Sequence, residues 1–147
     1  MSCQVPEEPQ FTLCCWGVPN VDKPVVSYLS EVLGYLGEWN RNPVSTTGGH
    51  VGVSITHPSG DEMFVGLSGD YWMLCRTRIF DRVTYDGQQM LSVGPCSDDS
   101  TIAFIWEQWT EMPRRNLISR ELAETTLAHW LRTNELLPDV HWKEVLF

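Results

Sequence analysis

Lysine is scarce in this sequence, and positively charged residues as a group are few. Only two of the ten cationic side chains are lysines, whereas aspartate and glutamate together number 19, so the net charge is −9. Proteins that bind nucleic acid or an anionic membrane neutralise phosphates with lysine and arginine. The shortage of cations therefore argues against both kinds of binding. The acidic excess instead favours a cationic partner, because such a field speeds association and discourages wrong contacts.

The sequence also lacks long apolar runs, a targeting segment and a spaced set of cysteines. No apolar stretch approaches the roughly 20 residues that span a bilayer. The first ten residues, MSCQVPEEPQ, have neither the cationic nor the apolar region of a signal peptide. We therefore expect a cytoplasmic protein with reduced thiols. The five cysteines are an odd number without framework spacing: Cys3, Cys14, Cys15, Cys75 and Cys96.

The length of 147 residues predicts a single domain, 1–147, with a composition typical of globular proteins. Residues 10–16 are apolar and aromatic, which predicts a first strand. From Asp22, the expected N-cap, apolar side chains recur at helical spacing, and we expect this amphipathic helix to end near Gly37. Its predicted inward face consists of Val25, Leu29, Val32, Leu33 and Leu36.

The middle of the chain predicts short antiparallel strands separated by turns. HPSGD at 57–61 separates GHVGVSI from EMFVGLS, and SGD at 68–70 leads into YWMLCRTRIF. Asp86 and Gly87 indicate a hairpin turn between RVTY and QQMLSVG, and TIAFIWEQW at 101–109 reads as one further strand. With the terminal strands, this pattern predicts a meander sheet of about five to seven strands.

The C-terminal third predicts a helix and a closing strand. Ser119 suits an N-cap, Glu121 places negative charge in the first turn, and Asn134 suits a left-handed residue after the last turn. Pro138 prevents continuation, and DVHWKEVLF at 139–147 predicts the last strand. We expect an α+β fold whose N-terminal and C-terminal helices pack on one face of the sheet. The inward stripe of the second helix is Leu122, Ala123, Thr126, Leu127, Trp130 and Leu131.

The sequence contains no complete catalytic or metal-binding motif. Residues 66–70 approach the G-x-S-x-G nucleophile elbow, but Asp70 stands where glycine is required and a strand follows. Cys75 lies beside Arg76, but a small apolar residue in a buried strand explains it better than a reactive thiol does. The four histidines have no metal-ligand spacing. We expect no enzymatic activity, metal or cofactor, and a small hydrolase using Ser68 or Cys75 remains an alternative.

Carboxylates are spread through the predicted loops. Their simplest role is solubility, because a net charge of this size keeps a small domain dispersed. Their alternative role is to form a surface that faces a basic protein and takes the place of phosphates. The candidate contact residues are Asp81, Asp86, Asp98 and Asp99, together with Glu107 and Trp72.

The segment from Trp106 to Trp142 carries a spaced series of aromatic, proline and helix-end residues. An aromatic strand runs into W-x-E-x-P, and a capped helix with an inward alanine leads to a closing Val-x-Trp. The series reads Trp109, Glu111, Pro113, Ile118, Ala123, Trp130, Leu131, Thr133, Asn134, Glu135, Pro138, Val140 and Trp142. It resembles the end of bacterial polymorphic-toxin immunity proteins of the Imm-one type, over about a quarter of the chain. Asn134 replaces the usual glycine, and one extra residue precedes Pro138.

The resemblance implies a function and leaves structural roles for most of its residues. Trp109 and Pro113 would fix the exit from the last meander strand, Ala123 and Trp130 would pack the helix on the sheet, and Trp142 would close the core. Core packing would thus explain Trp109, Trp130 and Trp142. The implied function is to bind and neutralise a cognate toxin domain, commonly a nucleic-acid deaminase or nuclease. Such toxins need a cationic channel for the polynucleotide, which suits an acidic inhibitor. The alternative is a general protein-binding module of the same fold with no toxin partner.

Overall fold

The computed structural model describes residues 10–18, 24–45, 47–98 and 100–145. This part of the chain contains ten strands and two α-helices, and no helix within it is both long and apolar enough to cross a membrane. The elements in chain order are β1 (Phe11–Trp16), β2 (Val25–Val26), α1 (Leu29–Trp39), β3 (Gly52–Thr56), β4 (Glu62–Ser68), β5 (Tyr71–Asp81), β6 (Asp86–Val93), β7 (Thr101–Trp106), β8 (Gln108–Pro113), β9 (Leu117–Ser119), α2 (Arg120–Thr133) and β10 (His141–Val145).

The main sheet is antiparallel and has the strand order β10-β6-β5-β4-β3-β1-β2, with β9 paired to β5. Strands β3 to β6 follow one another in space as in the chain, which is the predicted meander. The α+β class and the large antiparallel sheet are therefore confirmed. The helices are internal rather than terminal elements, because β1 and β2 precede α1 and β10 follows α2.

The two faces of the main sheet are covered by different elements. On one face, Trp72 and Leu74 of β5 share a core cluster with Leu36 of α1 and Leu127 of α2. Both helices therefore contribute to the same side, as expected. On the other face, a second cluster joins sheet residues such as Phe64 to Phe104 of β7. The separate β7–β8 hairpin thus forms a third layer, which burial of this second apolar face stabilises.

The first helix begins later than the sequence predicts. Residues 19–23, including the expected N-cap Asp22, lie outside the described residues, and Val25–Val26 pairs with β1 instead of starting the helix. β-Branched residues favour the extended backbone that this edge position offers. The helix runs through Gly37 to Trp39, and Val32 and Leu36 are its buried side chains. The predicted inward face is therefore correct within α1 and wrong at Val25.

One predicted strand is a turn in the structure, and another is divided by a turn. RVTY at 82–85 forms the β5–β6 turn, and β6 begins at Asp86 where the turn was expected. TIAFIWEQW is interrupted at Glu107, whose φ of 60° reverses the chain between β7 and β8. Left-handed backbone is rare for residues other than glycine, so neither sequence pattern indicates these reversals.

The second helix has the predicted ends and buried stripe. The Ser119 side chain accepts a hydrogen bond from the N–H of Leu122 at 3.2 Å, and Asn134 adopts a left-handed conformation with φ 60°. Its fully buried residues include Ala123 and Trp130. The closing strand follows at β10 and pairs with β6.

Candidate partner-binding surface

The β5–β6 hairpin projects beyond the strands on either side of it. Among the described residues, β4 pairs with β5 as far as Thr77, and β10 pairs with β6 as far as Gln89. Residues 78–88 therefore extend past the described parts of these two neighbouring strands. At about 3.3 Å per strand residue, the projection is roughly 15 Å long.

The base of this projection is fastened to two other elements. Nε and Nη2 of Arg78 donate to one carboxylate oxygen of Asp61 at 2.9 and 2.7 Å, and Asp61 lies in the β3–β4 turn. Nη2 of Arg78 also lies 3.5 Å from the carbonyl oxygen of Asn134 at the end of α2. The neighbouring Arg76 donates to the side chain of Gln88 across the hairpin at 2.6 Å. These contacts fix the direction in which the hairpin leaves the sheet.

The tip of the hairpin is organised by two aspartates. Oδ1 of Asp81 accepts hydrogen bonds from the backbone N–H groups of Val83 and Thr84, at 2.8 and 3.3 Å. The Thr84 hydroxyl donates to Oδ2 of Asp86 at 3.0 Å. Tyr85 closes the turn with φ 60°, a conformation that costs about 1–2 kcal/mol for a residue with a side chain. The two carboxylates therefore act within the tip as well as at its surface.

Three large apolar side chains are exposed on this same tip. Phe80 is 67% exposed, Val83 93% and Tyr85 73%, which are the three highest values among the large hydrophobic residues of the described chain. The register shifts by one residue between Ile79 and Asp81, so Phe80 is the extra residue of a β-bulge. Bulges redirect side chains and occur often near functional sites.

The remaining acidic candidates do not join this surface. Asp98 follows the far end of β6, which is roughly 23 Å from Asp86 at about 3.3 Å per residue. It accepts the backbone N–H of Ser100 at 2.8 Å, and this hydrogen bond holds the pKa of Asp98 below its ordinary value. Glu107 lies on the β7–β8 turn, in the layer opposite the helices. Asp99 lies outside the described residues. The structure thus groups Asp81 with Asp86 and separates Asp98 and Glu107 from them.

Two tryptophans are placed opposite to expectation. Trp72, a predicted contact residue, is fully buried in the helix-side core, and the Arg120 guanidinium lies 5.3 Å from its ring centre. Its side chain is therefore not available to a partner. Trp109, expected in the core, is 51% exposed on β8. Both lie in strands, where the covering elements alone decide which side is buried.

The other residues of the C-terminal series occupy structural positions. Trp130 packs against the ring of His57, with centroids 5.1 Å apart. Trp142 is half-buried and donates its indole N–H to the carbonyl of Leu137 at 3.0 Å. Ala123 lies on the buried face of α2. The side chains of Glu111 and Pro138 are exposed, and Pro113 is half-buried at the end of β8.

Cys75, one of the two candidate nucleophiles, lies in surroundings that disfavour the thiolate. Cys75 is 3% exposed, and burial raises the pKa of its thiol to about 12, although the charge of Arg76 opposes this shift. Thiol catalysis requires the reverse environment. A depression of ≈ 590 Å³ at the end of the sheet is lined by residues including Tyr71 and His141, and neither Ser68 nor Cys75 lines it. Within the described residues, no group of three or more histidine, cysteine or carboxylate side chains is placed to hold a metal ion.

Sequence reasoning missed the apolar half of the hairpin tip. Val83 and Tyr85 alternate with polar residues as in a strand, and the aspartates were selected for charge alone. No protein-family model matches this chain, and no curated protein matches it at a significant level. The surface is therefore interpreted from its own geometry and charge.

Proposed function

We propose that this chain is an immunity protein, which binds a cognate bacterial toxin domain and neutralises it by occluding the active cleft. The toxin would be a nucleic-acid deaminase or nuclease, and the inhibitor would act in the cytoplasm of the cell that makes the toxin. The C-terminal series from Trp109 to Trp142 supports the family, through its resemblance to immunity proteins of the Imm-one type.

The observation that carries the proposal is the charge of the surface. Nineteen acidic residues oppose ten basic ones, and Asp81 and Asp86 stand on a hairpin that projects from the sheet. A toxin that acts on polynucleotides needs a cationic channel for the phosphate backbone. An acidic projection competes for the same channel, because it supplies the negative charge that the phosphates would supply.

Inhibition of this kind needs no chemistry on the part of the inhibitor. The projecting hairpin excludes substrate by its volume, and the acidic field increases the rate of association. Specificity for one toxin would come from the shape of the exposed loops, since the buried residues of the sheet and helices cannot contact a partner.

The test uses the protein encoded immediately upstream of this chain, mixed with the purified chain. We expect a one-to-one complex on a sizing column and loss of the toxin's activity on nucleic acid. Absence of both the complex and the inhibition would overturn the proposal. A complex without inhibition would favour the alternative, a protein-binding module without a neutralising role.

A further inference from the structure

We infer that the apolar triplet Phe80, Val83 and Tyr85 is the anchor of the interface, and that it inserts into a concave, basic-rimmed pocket of the partner protein. This inference rests on the proposed function and specifies the surface that performs it. It assigns Asp81 and Asp86 a second task besides their charge: they position the tip through hydrogen bonds, and exposed carboxylates at the base of the hairpin add to the electrostatic attraction.

The exposed area of the triplet is large enough to anchor an interface. Phe and Tyr side chains bury about 150–250 Å² each when covered, so the three residues offer roughly 400 Å². That is about half of the ≈ 800 Å² that each partner contributes to a standard interface. Exposed apolar groups that are adjacent in space, rather than scattered singly, are typical of binding sites.

The shape and charge of the tip identify the kind of partner. The hairpin is convex, so the concavity must belong to the protein that receives it. At the base of the hairpin, Glu62 pairs in register with Thr77 and Glu144 pairs with Met90, and both glutamates are exposed. With Asp81 and Asp86 they make four exposed carboxylates on the hairpin and its flanking strands, called the acidic ring below. Arg82 on the tip and Lys143 on β10 are the exposed cations beside them, and Arg78 is paired with Asp61.

This ring disfavours two other occupants of the same surface. A second copy of the chain would also carry a charge of −9, and the two acidic rings would repel each other. Nucleic acid would be repelled by the same field. A basic protein surface with an apolar pocket complements both the charge and the apolar side chains of the tip. Its cations would lie near the acidic ring, and its pocket would cover the triplet.

The positioning role of Asp81 follows from its hydrogen bonds. Its Oδ1 accepts two backbone N–H groups of the turn, and Asp86 accepts the Thr84 hydroxyl. Asparagine retains a side-chain oxygen at the same place and removes the charge. Asp81→Asn therefore separates the two tasks, because it preserves the turn while deleting the negative charge, whereas Asp81→Ala deletes both.

The experiment measures association and dissociation rates with the upstream-encoded protein at two salt concentrations. We expect Phe80→Ser to increase the dissociation rate about tenfold or more and Val83→Ser about threefold, as for central apolar anchors. The matched control is Val25→Ser, which alters a 56% exposed valine on β2 at the other edge of the sheet, and it should leave both rates unchanged. Val83 is 93% exposed, so its variant tests the inference even if Phe80→Ser does not fold.

Separate variants test the contribution of the carboxylates to association. Glu62→Gln combined with Glu144→Gln should slow association about threefold at low salt, weaken the salt dependence and leave dissociation nearly unchanged. Asp70→Asn is the control, because Asp70 is exposed beside the opposite end of β5. Asp81→Asn should retain the wild-type dissociation rate, whereas Asp81→Ala should raise it several-fold.

The outcomes distinguish this inference from the proposed function. If the wild-type chain binds and inhibits but Phe80→Ser and Val83→Ser behave as wild type, the anchor is overturned and the function stands. If the wild-type chain does not bind, both are overturned. If Asp81→Asn and Asp81→Ala weaken binding equally, the positioning role is wrong. A wild-type dimer that Val83→Ser converts to monomer would show that a second copy, and not a basic partner, occupies the tip.

Discussion

Arg78 and Asp61 form an ion pair in which two nitrogens of one guanidinium bind the same carboxylate oxygen, at 2.9 and 2.7 Å. The Asp61 side chain is 8% exposed and that of Arg78 36%. The pair links β5 to the β3–β4 turn, immediately below the projecting hairpin. It therefore contributes both to stability and to the direction in which the tip points.

Replacing Arg78 by methionine should lower the free energy of unfolding by about 1–3 kcal/mol. The buried Asp61 carboxylate would lose its cation, and the effect falls below the 3–5 kcal/mol of a fully buried pair because solvent reaches Arg78. Urea unfolding measures the change. The control is Arg41→Gln, which removes the exposed pair with Glu38 and should cost less than about 0.5 kcal/mol. Equal losses in the two variants would contradict this account of the pair.

Two glycines should respond to alanine in opposite directions. A Cβ at Gly34 in α1 meets no atom within 4 Å, so Gly34→Ala should stabilise the protein by about 0.5–1 kcal/mol through helix propensity. A Cβ at Gly94 would overlap the carbonyl of Leu117, which forces β6 and β9 apart and should cost at least about 2 kcal/mol. Denaturant midpoints compare the two. A stable Gly94→Ala variant would show that the close approach of these segments is wrong.

Replacing Asn134 by glycine should stabilise the protein, because glycine adopts left-handed backbone without a steric cost. The φ of Asn134 is 60°, and its side-chain oxygen is buried with no hydrogen-bond partner. Asn134→Gly removes both costs and should raise the free energy of unfolding by about 0.5 kcal/mol, whereas Asn134→Ala should lower it by about 1 kcal/mol. Thermal unfolding gives the order of the three proteins. An alanine variant as stable as glycine would contradict the left-handed assignment.

Stability should fall on mild acidification because of His57. The His57 ring lies between Phe11 and Trp130, with centroids 5.5 and 5.1 Å away, and burial lowers the pKa of His57 despite the opposing Leu131 carbonyl and Asp61 charge. Below its ordinary pKa of 6.5, the unfolded chain binds a proton that the folded chain does not. Stability is therefore lost as pH falls from 6.5 toward the folded-state pKa. Unfolding at pH 7 and 5.5 should show this slope in the wild-type chain and a smaller one in His57→Gln. Equal slopes would show that His57 is not the group responsible.

Elements whose ends are set by interactions within one turn of the chain could be predicted from the sequence. Ser119 and Asn134 bound α2 because a side-chain cap and a left-handed residue act within one turn. The β3–β4 hairpin followed from alternation around a turn rich in glycine and proline. In contrast, Tyr85 and Glu107 reverse the chain with positive φ but without glycine, so the positions of the glycines do not indicate where those turns fall.

Burial of aromatic residues could not be predicted in the same way. Trp72 and Trp109 both lie in strands with mixed neighbours, and their exposure depends on whether a helix or solvent covers that face. The aspartates at 81 and 86 were found from charge. That Phe80 and Val83 are exposed beside them depends on the β-bulge and the turn, which no periodic sequence pattern indicates.

The central claim is that this chain neutralises a basic, nucleic-acid-acting partner through the β5–β6 hairpin tip. The most direct measurement is a titration of the upstream-encoded protein's activity with the wild-type chain and with Val83→Ser carrying Phe80→Ser. The account predicts complete inhibition by the wild-type chain at one equivalent, and residual activity at the same concentration of the double variant. Full activity in the presence of excess wild-type chain would contradict it.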